Sequence, residues 1–337
     1  MDESIIEIQN LKKSYGDLTV LKDINLNISQ GSIHGLVGAS GAGKSTLLRT
    51  INGVEEIDSG ILKIMGENIP NLSESEMLEI RKNISIIFQN FALMESKNVF
   101  ENIAFPMRIW KYPEDEINQR VEQLLEMVDL QDKKLEKPKN LSGGQQQRVA
   151  IARALTLEPK ILLSDEATSG LDPVTANSIV NLLLEINKEL GITMVIVTHQ
   201  MDVARKICDS ISIMKGGEIV ETDTVENIFM KNSDNLIDLI GPLKINIENI
   251  ENKEVFRLFL SSSIFSNPIL DILSRENINY TLEYSQIDKG KNGRFGSFYI
   301  SVDKDYEQKA YSKLSQVEGL IINSFDFEEG RIVNVWK

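Results

Sequence analysis

Apolar residues recur along the chain at two spacings. Ile24, Leu26 and Ile28 alternate with Asn25 and Asn27, the period-two pattern of a strand with one dry and one wet face. Strands are expected at 4–8 and 19–28. Ile33–Val37, Ile84–Phe88, Ile161–Leu163 and Thr193–Thr198 are short apolar runs without alternation, which suits strands buried in a sheet. Asp58-Ser59-Gly60 marks a turn before a further strand at Ile61–Met65. Over 114–128 the spacing changes: Ile117, Val121, Leu124, Leu125 and Val128 share one face of a helix, and Pro113 suits its first turn. Helices are also expected from Leu47, over 146–157, and from Pro173 to about Leu190. Strands alternating with helices predict an α/β fold with a mixed, mainly parallel sheet, to which the N-terminal strands add an antiparallel part.

Polar residues collect at the ends of the buried strands. Between the strand at 33–37 and the helix at 47 lies Gly38-Ala39-Ser40-Gly41-Ala42-Gly43-Lys44-Ser45-Thr46, with Gly38, Gly43, Lys44 and Ser45 at the spacing of a phosphate-binding loop. Glycines let the backbone fold tightly enough to aim successive amides at a phosphate, and the helix start adds partial positive charge. Lys44 would neutralise the outer phosphates and the Ser45 hydroxyl would hold Mg²⁺. The plainer alternative is a glycine-rich turn that binds nothing. A second cluster of amides with a hydroxyl, Leu141-Ser142-Gly143-Gly144-Gln145, opens the helix before Leu157; Ser142 is either a phosphate contact or only a helix cap.

Ile161–Ser164 runs into Asp165-Glu166, and paired acids at the end of an apolar strand point to a cation or a proton transfer. Asp165 would meet the Mg²⁺ shell and Glu166 would polarise an attacking water. His199 ends the strand at 193–198, where it can meet a γ-phosphate or the water, though its type alone suits a structural role better; His34, inside a strand, reads as structural. Gln89 ends the run at 84–88 and Tyr15 precedes the phosphate loop. A ligand crevice and a purine base would use them, and a loop glutamine and a half-exposed tyrosine are the plainer alternatives. Cys208, the one cysteine, reads as a small buried apolar residue.

Composition narrows the function. The 337 residues are enough for about two domains. A net charge of −14 with no basic face argues against nucleic acid and against direct attachment to an anionic membrane. No apolar run approaches the ~20 residues that span a bilayer, and Met1-Asp2-Glu3-Ser4 is acidic, without a signal-peptide core. The expectation is a cytosolic location, with any membrane-spanning part supplied by another subunit.

The phosphate loop, Gln89, Leu141–Gln145, Asp165-Glu166, Ser169–Asp172 and His199 occur in the order and approximate spacing of ABC-transporter ATPase subunits, and over residues 4–230 the chain resembles that family. The resemblance implies a P-loop NTPase ABC cassette with ATP and Mg²⁺ as ligands. It implies that Tyr15 stacks on adenine and that Gln89 joins the Mg²⁺ shell and senses the membrane partner. Ser142, Gly143, Gly144 and Gln145 would bind the nucleotide held by the opposite subunit of a head-to-tail homodimer, and Asp172 would link the two sites. Integral-membrane permease subunits, an extracytoplasmic substrate-binding protein reached through them, and a place on the cytoplasmic face of the membrane follow from the same resemblance.

Composition shifts at 232–252, where Asn232, Asn235, Asn246, Asn249, Asn252 and Gly241-Pro242 read as a linker between an ATPase domain at 1–231 and a second domain at 253–337. The second domain reads as strand 255–260, a helix opened by Asn267-Pro268 to about Arg275, strand 278–287, a turn at Lys289–Arg294, strand 295–302, a helix carrying Ala310, Leu314 and Val317, and strand 320–327. The order βαββαβ predicts a small ferredoxin-like α+β domain. An ATPase with such a tail resembles the energising subunits of bacterial methionine importers, as do Gly38–Leu48 and Thr198–Val203. Their tail is an ACT-like (NIL) domain, and the resemblance implies methionine binding and feedback inhibition there. Tyr280-Thr281 and the charged turn at 289–294 depart from that pattern, which leaves a purely dimerising tail as the alternative.

Overall fold

A computed structural model describes residues 3–243, 252–260, 269–291, 293–326 and 330–335. Within them the chain divides into two compact units, Met1–Glu221 and Thr222–Lys337.

In the first unit, β1 (Ser4–Tyr15) and β2 (Leu18–Ser29) are longer than their alternation alone marked, and they pair antiparallel. With β4 (Ser59–Ile64) and the short β5 (Glu67–Asn68) they form a four-stranded antiparallel sheet. The unalternating runs become β3 (Ile33–Gly38), β6 (Ile84–Ile87), β7 (Ile161–Asp165) and β8 (Thr193–Thr198). Together with β9 (Ser210–Lys215) and β10 (Glu218–Thr224) they make a six-stranded sheet in the order β10-β9-β3-β8-β7-β6. The pairs from β9 to β6 are all parallel. β3 and β8 are buried along their whole length, which is why they carry no polar alternation. One core joins the two sheets: Ile6, Ile8, Leu21 and Ile24 pack with Leu36, Leu47, Leu48, Leu163 and Val195.

The expected helices stand as α1 (Lys44–Ile51), α4 (Glu114–Met127), α5 (Gly143–Leu155) and α6 (Pro173–Leu190). Between them lie α2 (Glu74–Lys82) and α3 (Val99–Ile109), each started by a capping box, and α7 (Met201–Ile207) follows β8. Cys208 is buried at the end of α7.

His34 is buried between strands, its ring nitrogens 2.8 Å from Ser210 Oγ and 2.9 Å from Ser212 Oγ. Burial lowers its pKa to about 4. The unfolded chain therefore takes up a proton near pH 6.5 that the folded chain refuses until about pH 4. Stability from this residue is complete above pH 6.5 and is lost as pH falls towards 4, by about 3 kcal/mol in all. Denaturant midpoints measured from pH 7 to pH 5 should fall in the native chain and fall much less in His34→Gln. Equal slopes would assign the effect to other groups.

The second unit begins earlier than the composition change. It contains α8 (Val225–Lys231) and α9 (Asp234–Ile240), so the stretch expected as a linker is partly helical; Asn246 and Asn249 lie outside the described residues. Its sheet comprises β11 (Lys253–Leu260), β12 (Tyr280–Gly290), β13 (Gly293–Asp303), β14 (Ile321–Asp326) and β15 (Arg331–Val335), in the order β12-β13-β11-β14-β15. Among the described residues all its pairings are antiparallel. With α10 (Ile269–Arg275) and α11 (Glu307–Leu314), the first four strands have the expected ferredoxin-like order, and β15 is an added edge. The hairpin at 289–294 is tighter than expected, with Lys289 paired to Arg294 and Gly290 to Gly293. Asn267-Pro268 and Phe327, expected helix start and strand end, lie outside the described residues.

This small sheet is covered on both faces. Phe256, Leu258 and Leu260 pack with Leu273, Ala310 and Leu314. On the other face Val255, Tyr299 and Phe325 pack with Leu243, and Phe295 stacks on Phe229 of α8 at 6.0 Å. Arg257, on that second face and 2 % exposed, donates to the carbonyls of Phe229 (2.6 Å) and Met230 (2.8 Å) at the end of α8. It also donates to Ser297 Oγ at 3.0 Å. Those bonds fasten α8 to the small sheet, and α8 falls within the unit that begins at Thr222.

Candidate functional site

The loop 38–46, Gln89, Asp165, Glu166 and His199 lie at or just beyond the C-terminal ends of the parallel strands β3, β6, β7 and β8, where open α/β sheets place their ligand crevices. β3 runs into the loop 38–46. A Cβ at Gly38 would stand 2.3 Å from the Met214 carbonyl oxygen, so only glycine lets β3 end so close to β9. Gly43 caps α1 at φ +101°, and a Cβ there would meet Leu21 at 2.9 Å. Ala39, Ser40 and Gly41 are exposed, while Ala42 is buried, so the outer arc of the loop is open to a ligand. Lys44 is 7 % exposed, and its ammonium donates to the carbonyls of Gly38 (2.8 Å) and Ala39 (2.9 Å). Burial lowers its pKa, opposed by the nearby Glu166 and Asp165 carboxylates. An ammonium hydrogen-bonded to two carbonyls can exchange them for phosphate oxygens, which form stronger, charge-assisted bonds.

Ser45 Oγ donates to Asp165 Oδ1 at 3.2 Å, joining the start of α1 to the end of β7. Burial raises the Asp165 pKa and the Glu166 charge adds to it, while the Ser45 hydrogen bond opposes. Glu166 follows in the left-handed region at φ +52°, its amide donating to Val197 O at 3.0 Å. That turn presents the carboxylate to His199, whose Nδ1 lies 2.8 Å from Glu166 Oε1. Next to this pair, Thr168 donates to Gln200 Oε1 at 3.0 Å and so ties the segments after β7 and β8 together.

Gln89, beyond β6, is exposed and donates to Ser169 Oγ at 3.2 Å. Tyr15, at the end of β1, is 44 % exposed with the Lys13 ammonium 5.2 Å from its ring centre. Its phenol pKa is raised by burial and by a hydrogen bond to Glu55, against an opposing hydrogen bond to Thr46. The side chain thus stands beside the phosphate loop.

Ser142 and Gln145 form a reciprocal cap at the start of α5: Gln145 N donates to Ser142 Oγ at 3.3 Å and Ser142 N to Gln145 Oε1 at 3.0 Å. A Cβ on Gly144 would lie 2.4 Å from Thr175 Cγ2, and one on Gly143 3.3 Å from Leu171 Cδ2, so both glycines admit close contact with the start of α6. Asp172 caps α6, accepting from the amides of Val174 and Thr175, and the Thr175 hydroxyl holds its pKa below the ordinary value. No hydrogen bond joins 142–145 to 38–46 among the described residues.

The donors suit a magnesium nucleotide better than a resident metal. Among the described residues no three His, Cys, Asp or Glu side chains gather to hold an ion. One hydroxyl and one or two carboxyl or amide oxygens are what Mg²⁺ requires when phosphates and water complete its shell. Sequence reasoning overlooked Thr168 and Gln200, whose pairing spans 32 residues and leaves no local signature.

The ABC transporter family profile matches residues 21–169. The methionine import ATP-binding protein MetN of Clostridioides difficile (strain 630) is 45% identical over 306 residues, 90% of this chain and 94% of that protein. Its counterpart from Clostridium acetobutylicum is 44% identical over 90% of this chain and 95% of its own length. Among solved structures, cbiO1 from Clostridium perfringens, part of the ABC transporter complex cbiONQ, matches 71% of this chain and 96% of its own. Its TM-score is 0.65 at 34% identity. The ATP-binding cassette MJ0796, as a dimer in a post-hydrolysis state bound to ADP and Pi, matches 65% of this chain and 98% of its own. Its TM-score is 0.60 at 37% identity.

Proposed function

Because the chain belongs to the ABC transporter ATPases of the methionine import ATP-binding family, we propose that it is the ATP-hydrolysing subunit of a methionine importer. The observation that carries this reading is the extent of the similarity, which covers 90% of the chain and so runs past the cassette into the second unit.

In this reading the amides of 38–46 hold the β- and γ-phosphates, and Lys44 leaves the Gly38 and Ala39 carbonyls to bind them. Tyr15 stacks on the adenine. Ser45, Gln89 and Asp165 would hold Mg²⁺, which would supply charge neutralisation at the phosphates. Glu166 orients a water and accepts its proton as the oxygen attacks the γ-phosphorus and the bond to the ADP oxygen breaks. His199, held by Glu166, contacts the γ-phosphate. Ser142, Gly143, Gly144 and Gln145 of a second copy close the site from the other side. Asp172 lies at that junction. Two nucleotides then bind two subunits together through charge-assisted hydrogen bonds, and hydrolysis releases them.

No helix among the described residues is long and apolar enough to cross a membrane. In this reading the chain acts on separate permease subunits from the cytoplasmic face, with an extracytoplasmic binding protein delivering the cargo. The second unit binds methionine and slows the ATPase when methionine accumulates.

Reconstitution with permease and binding protein in vesicles tests this. L-methionine offered with the binding protein should raise ATP turnover several-fold, on the order of 1 kcal/mol in the barrier, while methionine on the ATPase side should lower it. Stimulation by a different amino acid would transfer the reading to another cargo. Turnover indifferent to methionine on the ATPase side would leave the second unit as a dimerising piece.

A further inference from the structure

The segment after Gln89 has a conformation that its residues do not favour by themselves. Phe91 and Ala92 are consecutive non-glycine residues at positive φ, +56° and +49°. The Ala92 amide folds back on the Asn90 carbonyl at 2.5 Å. The far end of the loop is pinned by Asn102 of α3, which accepts from Met94 N at 2.8 Å and donates to Met94 O at 3.2 Å. The arch itself is held from elsewhere. Arg153 of α5 donates through Nη1 to Ala92 O at 2.6 Å and through Nη2 to Phe91 O at 2.9 Å.

The guanidinium is half-buried, and among the described residues it is paired with no carboxylate. Both terminal nitrogens are spent on adjacent carbonyls of one strained turn, a contact for which the planar guanidinium fork is pre-organised. At the other end of α5, a Cβ on Gly143 would come 3.9 Å from the Phe91 ring. The same arch thus touches Arg153 and the glycine that follows Ser142. It begins one residue after the residue following Gln89, whose side chain reaches Ser169.

We propose that Arg153 is a positioning residue of the ATPase: its guanidinium holds the arch at Phe91 and Ala92 so that Gln89 is aimed into the nucleotide site. The inference rests on the ATP-hydrolysing reading above. Arg153 touches neither nucleotide nor water and acts only through Gln89, while Lys44, Tyr15 and the phosphate loop remain as they are when it is lost.

The test is steady-state Mg-ATP hydrolysis by the full chain, with Gln89→Ala, Arg153→Met, the double variant, and Arg153→Met carrying Ala92→Gly. Arg153→Met should lower kcat about tenfold and leave KM within about threefold, because binding is preserved while alignment is lost. In the Gln89→Ala background the same change should cost less than about twofold, since two residues acting through one contact are not additive. Ala92→Gly should return at least about half of the lost kcat, because glycine adopts the positive φ without a strap. A helix-packing role for Arg153 predicts a full further loss in the Gln89→Ala background and no rescue by glycine, and either result overturns the proposal. If Arg153→Met does not fold, Arg153→Gln, which keeps a polar end but is too short to carry the two-pronged contact, replaces it in both comparisons. Turnover that Gln89→Ala leaves unchanged would remove Gln89 from the reaction and the proposal with it. Turnover absent from the native chain would instead defeat the ATPase reading.

Discussion

Glu166→Gln should bind ATP as the native chain does and hydrolyse it at least about a hundredfold more slowly, the range seen when a positioned proton acceptor is lost. The substitution keeps the shape of the side chain and an oxygen for the His199 contact, now 2.8 Å from Nδ1. It removes only the ability to take a proton. The left-handed turn at Glu166 is fixed by its own amide bonding to Val197, so the backbone has no reason to move. The nucleotide that is no longer cleaved should hold pairs of chains together, and scattering or sedimentation with ATP should show a dimer that the native chain forms only transiently. Native-rate turnover in this variant would assign the proton to another group.

The second large effect is expected at Ser142. Ser142→Arg should leave ATP binding to the single chain unchanged and abolish ATP-dependent pairing, with turnover falling by about two orders of magnitude, as for loss of phosphate-directed donors. The difficulty is that Ser142 also caps α5, and losing a cap costs about 1 kcal/mol by itself. Ser142→Asp separates the two roles. Aspartate accepts from Gln145 N as serine does, so α5 keeps its start, but its charge repels a phosphate brought by the second chain. If Ser142 only caps the helix, Ser142→Asp should turn over like the native protein; if it meets the partner's nucleotide, both variants should fail to pair.

The site was legible where backbone geometry or solvation forces a residue type. Glycine at 38 and 43 is required by a carbonyl 2.3 Å from the missing Cβ and by a φ of +101°, and such demands fix the spacing of the motif. Asp165 and Glu166 stood out because charged residues interrupt an apolar strand only where something repays their burial. Arg153, Thr168 and Gln200 were silent because their partners lie 61 and 32 residues away, and for Arg153 the partners are backbone carbonyls. A carbonyl leaves no mark in a sequence. In the fold, β15 was overlooked because Arg331-Ile332-Val333-Asn334-Val335 neither alternates nor forms an unbroken apolar run. The allegiance of α8 did leave a signal: Val255 and Phe259 are as apolar as Phe256 and Leu258, so β11 announces two covered faces rather than one.

That last feature decides where the polypeptide can be divided. A gene shortened after residue 231, at the asparagine-rich change in composition, would keep α8 and discard the sheet it was built to seal. The Phe229 ring would lose Phe295, and the carbonyls of Phe229 and Met230 would turn to solvent. In the complementary fragment, the Arg257 guanidinium would be stranded in a greasy interior with its best acceptors gone. Severing ahead of Val225 keeps that lock and key in the same piece.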